Sequence, residues 1–492
     1  MSQTIGLRDA HINLHRKRGI ENQFDSCRPA RERRSHSSYN QQASAISSGS
    51  RQTMSITASD APQRSHTSSI AIIGGLFFIF GFVTWLNGPL ITFVKLAFNL
   101  DDVNAFLVPM AFYLSYFFLA LPSSWILKRT GMKRGMALGL FVMAIGAAVF
   151  GQFATMRIFP GALTGLFVIG AGLSLLQTAS NPYISVLGPI DGAAQRIALM
   201  GICNKVAGML APLLFGLIVM DGINEFSERL AQAEPVQKLA LLNEFAAKVH
   251  VPYLIIAGIL VLLAVWIMRS SLPEIRADEA NRVIGEHNST TARSIFQYPH
   301  FWLGVLCLFL YVGVEVMAGD AVGTYGQSFH LPLDETKFFT TYTLGAMLVG
   351  YVVGFIAVPR FFSQQTYLAL SALLGLLLCI GAYLSAGYVS VVFVFALGFA
   401  NAMMWPAIFP LAIRGLGRFT ELGSAFLIMG IAGGAIVPQL FAHLKQHYDF
   451  QAVFLTLMVP CYLYILFYAV KGYSVGTRIV PSAATPILSP SS

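Results

Sequence analysis

From Ser69 onward the chain alternates between long apolar runs and short polar joints. The first six runs cover residues 69–97, 103–127, 135–155, 159–187, 194–220 and 251–269. The second six cover 301–327, 338–359, 366–386, 389–413, 421–442 and 450–471. A helix rises about 1.5 Å per residue, and a bilayer's hydrocarbon core is about 30 Å thick, so runs of about twenty residues are spans. The pattern predicts an all-α polytopic membrane protein with twelve transmembrane helices.

The polar stretches divide the chain. Residues 1–67 are rich in Ser, Arg and Gln, have no apolar period, and are expected to form a disordered tail. Met54 is a second candidate start within that tail, and N-terminal sequencing of the native protein would decide between the two. Residues 270–300 read as a linker between a first bundle at 68–269 and a second at 301–471, with a second tail at 472–492. The linker carries an "NST" sequon at Asn288 on the side expected to face the cytoplasm, where it would go unmodified. Residues 221–249 are polar and helix-prone, and are expected to lie on the outer surface. "KVAGMLAPLLF" (205–215) in the fifth run lies over "IAGGAIVPQLF" (431–441) in the eleventh, each with a Gly four residues before a Pro. A motif shared by the fifth span of each six favours two pseudo-symmetric six-helix bundles, the plan of the major facilitator transporters.

Composition agrees, since 55% of residues are hydrophobic, 11% are charged, and the mean hydropathy is +0.64. A soluble domain carries roughly 25% charged residues. The net charge of +9 does not point to nucleic acid, because ten of the 32 Lys and Arg precede Thr67 and most others sit in short loops. With the N-terminus inside, 24 of the 32 fall on the cytoplasmic side, which predicts both termini in the cytoplasm. The five cysteines are scattered singly, so neither a disulfide framework nor a metal site is expected. No nucleophile–base constellation or phosphate-binding glycine loop suggests an enzyme or an ATP-driven pump.

The charges left inside the spans are few. Of 23 Asp and Glu, only Glu315 and Asp320 fall well within a run, in "LYVGVEVMAGDAVGTYG", and among cations only Lys205 is deep. Counting from the inner ends, Lys205 lies roughly 16 Å in, Glu315 about 21 Å and Asp320 roughly 28 Å. Lys205 and Glu315 therefore share a height and can pair if their helices are neighbours. An unpaired charge at that depth costs about 2.5–3.5 kcal/mol, which pairing relieves. A buried pair seldom stabilises better than apolar packing, so its presence points to cation coupling, with a plain tie between two helices as the alternative.

Uncharged polar residues add a possible ligand surface: Asn87, Gln177, Asn181, Asn204 and Asn401. Amides both donate and accept, which suits a ligand made of hydroxyls. Trp85, Tyr183, Tyr325 and Trp405 are aromatics able to stack on a pyranose ring. For each, a hydrogen bond or packing contact between helices is the competing role. Gly88-Pro89, Asn181-Pro182, Trp405-Pro406, Gly319 and Gly323 are expected to interrupt their helices and free backbone groups.

Four stretches carry a family resemblance: "GFVTWLNGPLITFVKLAFNL", "LLQTASNPYISVLGP", "YVGVEVMAGD" and "GSAFLIMGIAGGAIVPQLF". They resemble the fucose/galactose/glucose–proton symporter family of the major facilitator superfamily, over most of residues 69–471. The resemblance implies a monomer in the inner membrane that imports a monosaccharide with a proton by alternating access. It implies no cofactor beyond the co-transported H+, with Na+ the alternative ion. Fucose permeases carry an acid after the Asn of the first span and a Glu in the fourth; here those positions are Gly88 and Gln177. Both differences point away from fucose, toward the branch proposed for glucose, galactose and N-acetylglucosamine. With the usual acids missing, Glu315, partnered by Lys205 and with Asp320 nearby, is expected to take over coupling or ligand binding. The alternatives are an N-acetylglucosamine permease or an uncoupled facilitator of another solute.

Overall fold

A computed structural model describes residues 63–186, 193–274 and 294–476, Pro359 excepted. Met54, Asn288 and most of the two tails and the linker therefore lie outside the described residues. Those described contain helices and no strands, and twelve stretches are long and apolar enough to cross a membrane. Spans 1 to 6 are Ser69–Ala97, Asp102–Thr130, Met132–Thr155, Phe159–Ile184, Gln195–Ile218 and the C-terminal part of Pro235–Arg269. Spans 7 to 12 are Pro299–Gly319, Leu333–Ala357, Gln364–Leu384, Gly387–Ile413, Thr420–Leu444 and Phe450–Val470.

The same packing recurs in each six. Span 3 lies against spans 4 and 6, span 2 against span 4, and span 1 against span 5. In the second six, span 9 lies against spans 10 and 12, span 8 against span 10, and span 7 against span 11. Spans 5 and 8 pack across the halves, and so do spans 11 and 2, which is the same contact after exchange of the halves. This is the geometry of two related six-helix bundles facing one another. Small residues let the helices approach: a Cβ on Gly139 of span 3 would lie 2.7 Å from the Gly172 carbonyl of span 4. Span 6 turns mostly outward, with Ile255, Leu262 and Trp266 exposed to what would be lipid, whereas spans 7, 10 and 11 are largely enclosed.

Several spans are broken. Span 1 stops at Trp85 and restarts at Asn87, with Gly88 and Pro89 in the restarted first turn. Span 10 stops at Asn401 and restarts at Met404, with Trp405 and Pro406 in the same places. Proline is tolerated in a first turn because no intrahelical donor is needed there. Span 7 stops at Gly319 and is followed by a short helix, Val322–Gln327. The carbonyl freed at Gly319 accepts from the Thr340 hydroxyl of span 8 at 2.8 Å. One expected interruption is absent: Asn181-Pro182 lies inside the continuous helix Phe159–Val186. Its proline sits near the C-terminal end, where few turns remain to be disturbed.

The segment after span 5 forms two helices, Ile223–Gln232 and Pro235–Ala247. They are less exposed than their polar composition suggests, since Phe226 and Phe245 are buried and stacked with ring centres 4.4 Å apart.

Candidate functional site

Between the halves lies a cavity with roughly 720 Å³ of free space, its mouth included. Spans 1, 2, 4 and 5 contribute Trp85, Tyr113, Tyr116, Gln177, Asn181, Asn204 and Lys205. Spans 7, 8 and 10 contribute Tyr311, Glu315, Tyr351 and Trp405.

At its centre the Lys205 ammonium donates to Glu315 Oε1 at 2.9 Å, with side chains only 6% and 11% exposed. The pair joins the first half to the second. Lys205 also lies over the Trp85 ring, 4.2 Å from its centre, and 5.9 Å from that of Tyr351. An aromatic face attracts a cation, so the ammonium is held on several sides without a second carboxylate. The Trp85 indole N–H donates to Asn204 Oδ1 at 3.3 Å, which fixes ring and amide together. Gln177 donates to the Tyr116 hydroxyl at 3.0 Å.

Of the residues expected from the sequence, Trp85, Gln177, Asn181, Asn204, Lys205 and Glu315 line this cavity, and so does Trp405. Asp320, Asn87, Asn401, Tyr325 and Tyr183 do not. Asp320 sits behind Tyr113, whose hydroxyl donates to Asp320 Oδ2 at 3.0 Å. Asn87 is buried in the restarted turn of span 1. Asn401 is wholly buried and accepts from the Tyr462 hydroxyl at 2.8 Å, a tie between spans 10 and 12. The Tyr325 hydroxyl meets Ser390 at 2.7 Å, and its ring packs among Phe329, Phe450 and Phe454. Tyr183 donates to the Pro273 carbonyl at 3.0 Å, at one end of the bundle. For Asp320, Asn401, Tyr325 and Tyr183 a polar atom is directed to a neighbouring helix or loop.

The tyrosines of the cavity were not singled out from the sequence. Tyr311 precedes Glu315 by four residues and so shares its helix face, a spacing that was available to find it. Tyr113 and Tyr116 show the corresponding i, i+3 spacing on span 2.

Two further polar layers join the halves. At the end of span 1, Asp102 is held between Lys95 and Lys445 at 2.5 Å each. Around it Gln327 donates to Thr92 at 3.0 Å, Gln439 to the Val103 carbonyl at 3.1 Å, and Lys337 to the Met220 carbonyl at 3.0 Å. This rim is closed by many contacts. At the opposite end Ser124 donates to Glu421 at 2.8 Å, with Lys128 at 3.8 Å.

A family model described as Major Facilitator Superfamily matches residues 73–438. The chain belongs to the Major Facilitator Superfamily. It is a multi-pass membrane transporter and not an enzyme. A glucose/galactose transporter of Brucella abortus is 32% identical over 413 residues, which are 83% of this chain and 95% of that one. An L-fucose-proton symporter of Escherichia coli is 31% identical over 391 residues, 78% of this chain and 88% of that one. Among solved structures, the superfamily transporter FucP in its outward conformation superposes with a TM-score of 0.67 at 28% identity. That match covers 84% of this chain and all of the other.

Proposed function

We propose that this transporter moves a monosaccharide of the glucose/galactose class across the inner membrane into the cell together with a proton. In this reading both termini face the cytoplasm and the rim around Asp102 faces outward. The observation that carries it is the Lys205–Glu315 pair, which joins the two halves inside a cavity of amides and aromatics. The amides of Gln177, Asn181 and Asn204 suit sugar hydroxyls as donors and acceptors, and Trp85 and Trp405 offer faces for a pyranose ring. The names of the Brucella and Escherichia relatives support a sugar and, for the second, a proton.

Alternating access follows from the same layers. A sugar that hydrogen-bonds Glu315 and Lys205 competes with the contact holding the halves together at mid-height. Binding then has a different free energy in the two arrangements, which is what a ligand needs to shift a conformational equilibrium. A single chain contains the whole cavity, so the monomer is the proposed working unit.

The test is uptake of labelled glucose and galactose into vesicles, with and without an imposed pH gradient. Unlabelled N-acetylglucosamine and fucose serve as competitors, and a sodium gradient as the other ionic arm. Accumulation above equilibrium only when the outside is acid, blocked by glucose or galactose, is expected. Label that only equilibrates, or that follows sodium, overturns the proton reading. Transport of none of these sugars overturns the substrate class.

A further inference from the structure

We infer that Asp320, and not Glu315, carries the coupling proton, while Glu315 and Lys205 form the part of the site that sugar displaces. This rests on the symport reading above and divides its labour. The two acids differ in their surroundings. Glu315 has a cation at 2.9 Å and faces the cavity. Asp320 is 1% exposed and forms no ion pair among the described residues. Its Oδ2 accepts from Tyr113 at 3.0 Å, and its Oδ1 has no side-chain hydrogen-bond partner among the described residues. The ionisable groups facing it are Tyr113 of span 2, Glu315 of its own span and Lys205 of span 5, with the backbone N–H of Gly88 also directed at the carboxyl group. A buried carboxylate held only by the Tyr113 hydroxyl and the Gly88 N–H, with no paired cation, is expensive, and taking up a proton removes that buried charge.

Position makes that proton useful. Asp320 lies where span 7 breaks, beside Gly88 where span 1 restarts, so it sits at the joint of both halves. A Cβ at Gly88 would overlap the Thr340 hydroxyl of span 8, so spans 1 and 8 approach closely beside Asp320. Tyr113 lines the cavity and bonds Asp320 from behind, so it stands between the proton and the cavity. One proton joins the carboxylate oxygen from the rim side when the rim opens. It leaves to the cavity side after the halves move, so each sugar is accompanied by one positive charge.

The experiment compares wild type and Asp320→Asn, which cannot lose a proton, in vesicles. It records gradient-driven accumulation, sugar-induced proton uptake, and exchange of labelled for unlabelled sugar at equal concentrations. Asp320→Asn is expected to lose accumulation and proton uptake while exchange continues and loses its pH dependence. Accumulation with proton uptake in Asp320→Asn overturns the assignment, and so does loss of sugar exchange in a folded variant, which marks a structural role. If Asp320→Asn does not fold, Tyr113→Phe replaces it. A displaced pH profile for exchange is then expected, and an unchanged one overturns the inference. Failure of the wild type to accumulate any sugar removes the symport reading itself, before Asp320 is reached.

Discussion

Of the places where charge joins the halves, two differ most in their surroundings. At mid-height Lys205 meets Glu315, both almost wholly enclosed, against the faces of Trp85 and Tyr351. At the rim Asp102 meets Lys95 and Lys445, with side chains 30% exposed at Lys95, 21% at Asp102 and 8% at Lys445, so this layer is wet on the Lys95 side only. Geometrically the rim contacts are as tight as the central one. Their surroundings differ, and surroundings decide what a charge pair does. In a partly wet rim the attraction is screened, and an exposed pair contributes about 0.2–1 kcal/mol. In a dry centre, loss of one partner leaves the other uncompensated, at about 3–5 kcal/mol. The centre is therefore suited to a site that must be occupied or paired, and the rim to a latch that opens.

Breaking the centre has the largest expected effect. Glu315→Gln or Lys205→Ala lowers sugar uptake by about two orders of magnitude, following the free energy of an orphaned buried charge. The double variant Lys205→Met with Glu315→Leu recovers thermal stability relative to either single variant and still transports nothing. A double variant less stable than both singles would contradict the pair's isolation. Uptake kinetics and thermal unfolding in detergent measure both.

Trp85→Ala is next. It removes the ring beneath Lys205 and the donor to Asn204, and a buried cation–π contact contributes about 2 kcal/mol, so apparent affinity falls by about tenfold or more. Trp85→Phe keeps a face and loses the N–H, and is expected to fall between the two, read by competition binding.

The rim responds more weakly and in a different observable. Asp102→Asn removes both rim pairs and is expected to raise labelling of a cysteine placed at buried Thr92 a few-fold, in a background without native cysteines. High salt does the same to the parent protein by screening. Burial holds the Lys445 pKa below the usual lysine value, so alkaline conditions discharge it earlier than a free lysine and loosen the same latch. Labelling indifferent to charge, salt and pH would remove the latch.

The smallest effect belongs outside both layers. Asn401→Ala deletes the acceptor of Tyr462 and is expected to lower stability by about 1 kcal/mol with little change in sugar affinity. A large affinity loss would return Asn401 to the site.

The span pattern was legible because apolar runs of membrane length admit few other structures. The central pair was legible for a related reason: Lys205 and Glu315 are rare charges in such runs, and helix rise alone set them at one height. The rim triad was not, because Asp102, Lys95 and Lys445 sit at span ends, where charge is ordinary. The division between Gln177 and Asn204, which face the cavity, and Asn401 and Asn87, which do not, was also hidden. It depends on how each helix is rotated, and spans apolar on all sides have little periodicity to reveal rotation. The break in span 10 illustrates the same limit. Proline at Pro406 marks the restarted turn, but the Asn401–Met404 joint lies before it.

The most direct measurement is equilibrium binding of labelled glucose and galactose to purified wild type, Glu315→Gln and Lys205→Ala. The pair as sugar site predicts saturable binding to the wild type and a loss of about two orders of magnitude in either variant, with Asp102→Asn binding as wild type does. Equal binding in all four proteins would contradict it.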